Sequence, residues 1–245
     1  FNRKGGEGNF IFGRNAGRGR SGCNYGGNNI IMGREGGYML GNSNQNIFLG
    51  RSVAKKICDG ATSNIVLGDC AVCESIEGCG FSDNIVIGKH AAAFIGPTQE
   101  NIFIGCMSAS YHFSGRYNIG IGREVMKSPS SSVTGNTGRY NTAVGDRALK
   151  CLTSGCMNVA MGRCAGHSLS TGDGNVLLGV CAGATISSGS NNVFLGCLTA
   201  HDGTVTGSNN FASGYVALKG LTGGYSNIVI GTFAGCCITT GNNNI

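Results

Sequence analysis

Tryptophan is absent from the 245 residues, proline occurs twice and charged residues make up only 12%. Each shortage excludes a class. Disorder needs high charge and low hydrophobicity, whereas 41% of this chain is hydrophobic. Glycine is abundant at 45 residues, but without abundant proline or a glycine at every third position it does not describe collagen. No apolar run approaches the roughly 20 residues that span a bilayer, and no signal peptide opens the chain. Acidic residues number 12 and form no Gly-Gly-x-Gly-x-Asp phrase, which excludes calcium-bound β-rolls. Their one dense spot is Glu74 and Glu77, too little for the paired carboxylates of a solenoid glycosidase. No Walker-type phosphate loop and no Ser-His-Asp set is present. The chain reads as a non-enzyme without a cofactor.

What is present is one phrase, Asn-apolar-x-apolar-Gly. Its asparagine falls at 9, 29, 46, 64, 84, 101, 118, 141, 158, 175, 192, 210, 227 and 244. The intervals are 20, 17, 18, 20, 17, 17, 23, 17, 17, 17, 18, 17 and 17. Every departure from 17 is longer, the mark of a fixed coil with insertions at a corner. The reading is all-β: a parallel β-solenoid or β-roll of about thirteen coils of 17–23 residues, one repeat domain over 1–245. Coils are irregular over 9–140 and regular over 141–245. Phe1 is not an initiator Met, and Ile245 stands one residue into a new phrase, so the chain reads as a fragment of a longer one.

With Asn at position 0, positions 1–3 are a short strand rich in β-branched residues, as in Ile85-Val86-Ile87. Positions 1 and 3 share a face and are large. Position 2 is apolar as well, so both faces of the strand are expected to be covered, position 2 adding an outer stripe that needs a partner. Position 4 is glycine in all thirteen complete coils, which suits a sharp corner. Position 7 is small or β-branched, and position 11 turns apolar in the second half (Leu152, Leu169, Ile186, Leu221, Ile238). The structural repeat is carried by Asn64, Gly68, Asn84, Gly88, Asn101, Gly105, Asn158, Gly162, Asn175, Gly179, Asn192, Gly196, Asn227 and Gly231. Stacked asparagines can hydrogen-bond along a ladder. The insertions around Arg18-Gly19-Arg20-Ser21-Gly22 and Lys127–Ser132 are expected to protrude.

Cysteine is plentiful at 13. Cys70-Ala71-Val72-Cys73 has zinc or redox spacing, yet no second close pair follows and the nearest histidine, His90, lies one coil later. Cys70, Cys164 and Cys181 share position 6, which favours a structural role, and no metal site is assigned. Cys164 and Cys181, one coil apart, are a candidate disulfide at about 4.8 Å between stacked Cα atoms. Cys236 and Cys237 are adjacent and expected to face different ways. The net charge is +6, with the basic residues densest at Arg3, Lys4, Arg14, Arg18 and Arg20. Without a motif or interleaved aromatics, this is read as a solvated face and not as a nucleic-acid site.

The phrases from Gly224 to Gly235 and from Gly138 to Leu149 resemble the Asn-rich repeats of phage and virus tail-fibre proteins and, more loosely, trimeric autotransporter adhesin heads. That resemblance implies a homotrimeric shaft on a virion surface or otherwise extracellular. The shaft would hold a tip that meets a host cell-surface receptor through regions not in this chain. Its partners would be copies of itself, with no nucleic acid and no membrane insertion. Free cysteines favour a virus assembling in a reducing compartment over an exported adhesin or surface filament. An ice- or glycan-binding solenoid ranks last, because Thr204 and Thr206 form no repeated threonine ladder.

Overall fold

A computed structural model describes residues 6–18, 26–38, 40–57, 60–75, 80–111, 114–128 and 136–245. Most of the two insertions, along with Arg3, Lys4, Arg20, Glu77 and Cys79, lies outside the described residues. The fold is an all-β parallel β-solenoid, with no helix among the described residues. It divides into two compact units, one of described residues up to 118 and one of described residues from 119 onward.

In the first unit β1 (Phe10–Phe12), β2 (Ile30–Met32), β3 (Ile47–Leu49), β4 (Ile65–Leu67), β7 (Ile85–Ile87) and β10 (Ile102–Ile104) stack as one parallel sheet. Two smaller parallel pairs widen its later coils: β5 (Glu74–Ser75) with β8 (Phe94–Ile95), and β6 (Phe81–Ser82) with β9 (Thr98–Gln99). The second unit stacks β11 (Ile119–Ile121), β12 (Thr142–Val144), β13 (Val159–Met161), β14 (Val176–Leu178), β15 (Val193–Leu195), β16 (Phe211–Ser213) and β17 (Ile228–Ile230). The register is the repeat register, with position 1 on position 1 throughout each unit.

The repeat asparagines point inward. From Asn29 to Asn227 each is at most 2% exposed. Within each unit the Nδ2 of one asparagine donates to the Oδ1 of the asparagine one coil earlier at 2.7–3.1 Å. The same Oδ1 accepts the backbone N–H of the later asparagine, as from Asn192 to Asn175 at 3.0 Å. The second Nδ2 hydrogen goes to a carbonyl at the far corner, as from Asn158 to Gly172 O at 2.9 Å and from Asn175 to Gly189 O at 2.9 Å. A buried amide is tolerable only when so satisfied.

With Asn inward at position 0, alternation puts position 2 inward and positions 1 and 3 outward. This reverses the expected facing. The middle residues Ile31, Phe48, Val66, Val86, Phe103, Leu177 and Phe194 are fully buried. The interior is closed by position 7, by position 8 and by the apolar residue at position 11. In the first unit position 11 is filled by Leu40, Ile57 and Ile95, so the apolar pattern read only in the second half runs through the first as well.

Positions 2 and 8 exchange volume. Gly120 faces Met126, Ala143 faces Leu149 and Ala212 faces Leu218, whereas Leu177 accompanies Gly183 and Phe194 accompanies Ala200. A Cβ on Gly183 would stand 2.8 Å from Leu177 Cδ2. Where both positions are small, at Ala160 and Gly166, Leu149 and Leu177 of the adjoining coils fill the space, each within 2.8 Å of a Cβ built on Gly166. The core keeps constant volume by alternating large and small.

The corner after each strand needs glycine for two reasons. Position 4 has φ between 126° and 142° in every coil. A Cβ on Gly179 would also lie 2.5 Å from the carbonyl oxygen of Gly196 one coil on. Positions 6 and 8 are left-handed too, at φ 51–60° and 46–59°, although many of their residues are not glycine. Val72 at φ 50° and Val216 at φ 60° are β-branched residues in a region such residues avoid. The N–H groups at positions 6 and 8 consequently point in opposite directions along the stack, while that at position 7 bonds within its own coil, as from Ala165 to Gly162 O at 3.3 Å. Cys181 N–H donates back to Arg163 O at 2.8 Å, and Gly166 N–H donates forward to Ala182 O at 3.0 Å. Stacking bonds thus compensate the local strain.

The volume exchange is testable by a swap. Phe194→Ala should cost about 3–5 kcal/mol, and adding Ala200→Leu, which recreates the Ala212/Leu218 pair, should restore at least about half of it. Denaturant unfolding of both variants checks this. An Ala200→Leu that deepens the loss would contradict it.

Candidate functional site: an unpartnered sheet face and a cysteine-histidine corner

The outward sides of the strands form two apolar columns in each unit. In the first, position 1 reads Phe10, Ile30, Ile47, Ile65, Ile85, Ile102, and position 3 reads Phe12, Met32, Leu49, Leu67, Ile87, Ile104. In the second, Ile119, Thr142, Val159, Val176, Val193, Phe211 and Ile228 stand beside Ile121, Val144, Met161, Leu178, Leu195, Ser213 and Ile230, apolar except at Thr142 and Ser213. These side chains are half-buried or exposed, up to 71% at Ile230. Among the described residues, no strand outside the sheet packs on them. At about 4.8 Å per strand and 3.3 Å per residue, each unit presents a stripe of roughly 30 Å by 10 Å.

Next to this face runs the position 4–9 corner, where side chains of successive coils meet. At position 5, Arg51 holds Asp69 through Nε and Nη2 at 3.0 and 2.7 Å, and Arg123 holds Asp146 at 2.8 and 3.2 Å. At positions 6 and 9, the Glu124 carboxylate meets Lys127 Nζ at 3.1 Å, Arg147 Nε at 3.2 Å and Lys150 Nζ at 3.0 Å. Lys150, and then Lys127 and Arg147, draw its pKa down to about 2 against the cost of burial. In the first unit the acidic Glu74 is held by Lys56 at 2.6 Å. Arg18 of the basic N-terminal region lies over the Tyr38 ring, 5.7 Å from its centroid.

The same corner positions carry most of the notable thiols. Cys164 and Cys181 stack at position 6 of consecutive coils as half-buried thiols, and the Cys181 pKa is raised first by burial and next by Cys164. Cys236 and Cys237 turn their Sγ atoms to within 3.5 Å of each other, not to opposite sides as expected. Cys70 and Cys73 meet His90, with one ligand atom from each all within 4.8 Å of one another. Burial, and then Cys70, push the Cys73 thiol up to about 11. His90 is one coil later in sequence but at the same position 6 as Cys70, so the stack makes them neighbours. Coil phase, and not sequence distance, was the signal that could have found this trio.

The fourteen repeat residues from Asn64 to Gly231 sit in the ladder and the corner described above. No family model, no curated protein and no solved structure matches the chain.

The Glu124 cluster sets an acid limit. A carboxylate with pKa depressed from 4.5 to about 2 adds stability above the ordinary value and loses it as pH falls towards 2. Glu124→Gln should lower stability at pH 7 and flatten the acid limb between about pH 4.5 and 2, as read by thermal unfolding across pH. An unchanged acid limb would contradict the assignment.

Proposed function

We propose that this chain is a shaft segment of a self-associating fibre, with a mechanical and not a catalytic role, in which copies meet through the outer columns of positions 1 and 3. The carrying observation is the unpartnered apolar face. Soluble monomers rarely leave a continuous apolar patch of several hundred Å² exposed. Each unit has a stripe of about that size, made of side chains that pack well on a flat sheet. A partner for it must offer apolar groups at the same strand spacing, and the same face of another copy does so.

Three chains around a common axis cover the face symmetrically, and the resemblance to tail-fibre repeats supports a homotrimer of this kind on a virion surface. In that setting the segment is a spacer that holds a receptor-binding tip away from its base. The reversed facing strengthens the association reading. Had position 2 been outward, one apolar residue per coil would need cover, whereas here two do. The corner, by contrast, is free to vary, because its side chains meet within the chain.

Native mass spectrometry of the chain should give three times the 25.0 kDa protomer mass. Val176→Lys with Leu178→Lys changes only outward positions and should yield a folded monomer with an unchanged circular dichroism spectrum. A monomeric parent protein would overturn the proposal.

A further inference from the structure

We propose that Cys70, Cys73 and His90 form a zinc(II) site that clips two successive coils together. Two thiolates and an imidazole are a zinc donor set, and they neutralise the ion's double charge, so no net charge is left in a half-buried corner. Tetrahedral zinc with Zn–S near 2.3 Å and Zn–N near 2.1 Å holds its ligand atoms about 3.6–3.8 Å apart. The present span, all three within 4.8 Å, needs only side-chain adjustments to reach that. The fourth position is left to water.

The backbone builds the site. Cys70 at φ 51° and Val72 at φ 50° are both left-handed, and the chain between them bends so that Cys73 returns towards Cys70. His90, also left-handed at φ 54°, is set directly on Cys70 by its N–H bond to Asp69 O at 3.0 Å. The ion cluster of the second unit shows independently that these positions converge. There Glu124 at position 6 reaches Lys127 at position 9 and Arg147 at position 6 of the next coil. Cys164, His167 and Cys181 occupy the same three positions, yet among the described residues only the Cys70 trio brings its ligand atoms within 4.8 Å. Zinc binding sends two thiol protons to solvent and ties position 9 of one coil to position 6 of the next. The site lies within one chain and does not depend on fibre assembly.

The test is metal content and affinity of the full chain, reduced and then loaded with zinc or cobalt(II) alone. One zinc per chain is expected, with cobalt showing the visible bands of a tetrahedral site and thiolate charge transfer. The melting temperature should rise with free zinc. Cys73→Ser and His90→Asn should each weaken zinc binding at least about a hundredfold, since even outer-shell losses cost ten- to a hundredfold. Asparagine tolerates the left-handed backbone at position 90, so His90→Asn carries the test if Cys73→Ser misfolds. Cys156→Ser, in the second unit, should bind as the parent does. Absence of stoichiometric zinc would overturn the proposal, as would unchanged affinity in His90→Asn or loss of binding in Cys156→Ser.

Discussion

The fold depends on a buried side-chain amide that can be satisfied only by another copy of itself one coil away. Each Oδ1 accepts two N–H groups from the following coil, and each Nδ2 donates to the preceding coil and to the far corner. An isolated coil would leave these groups unpaired, at about 1–3 kcal/mol each. Stacking is therefore demanded by the polar part of the core as well as the apolar part. The ladder also fixes register. A slip of one residue would bring an apolar side chain into the column and leave an amide outside.

The other features follow from that constraint. Asn inward at position 0 forces position 2 inward, and a narrow interior then has to balance position 2 against position 8. Coils stacked at the strand spacing bring Gly179 so close to the Gly196 carbonyl that no side chain fits at position 4. The left-handed residues at positions 6 and 8 are held by bonds to both neighbouring coils. The side chains at position 6, unlike those at position 8, are aimed out of the core and form the variable surface of the chain. Arg, Glu, Cys and His occupy that surface without disturbing the ladder.

Much of this was legible. The repeat phrase, the three-residue strands, the glycine corner and the period were all readable from the positions of Asn and Gly. The facing of the strand was not, because Ile85-Val86-Ile87 is apolar at every position and offers no alternation. It could have been deduced only by placing Asn84 in the core, where an amide is costly unless laddered. The left-handed backbone at Arg147 or Val72 carries no residue signature, since neither type favours it. The approach of His90 to Cys70 was hidden by a 20-residue separation that coil stacking reduces to one rung.

A protein built this way extends by adding coils, and it leaves the outer face of its sheet turned away from the core. Its central claim is the ladder. Side-chain amide hydrogen exchange, followed by NMR, tests it most directly, with exposed Asn42, Asn191, Asn209 and Asn243 as internal references. The account predicts that the Nδ2 protons of interior asparagines such as Asn64, Asn158, Asn175 and Asn192 exchange orders of magnitude more slowly than those references. Equal exchange rates in the two groups would contradict it.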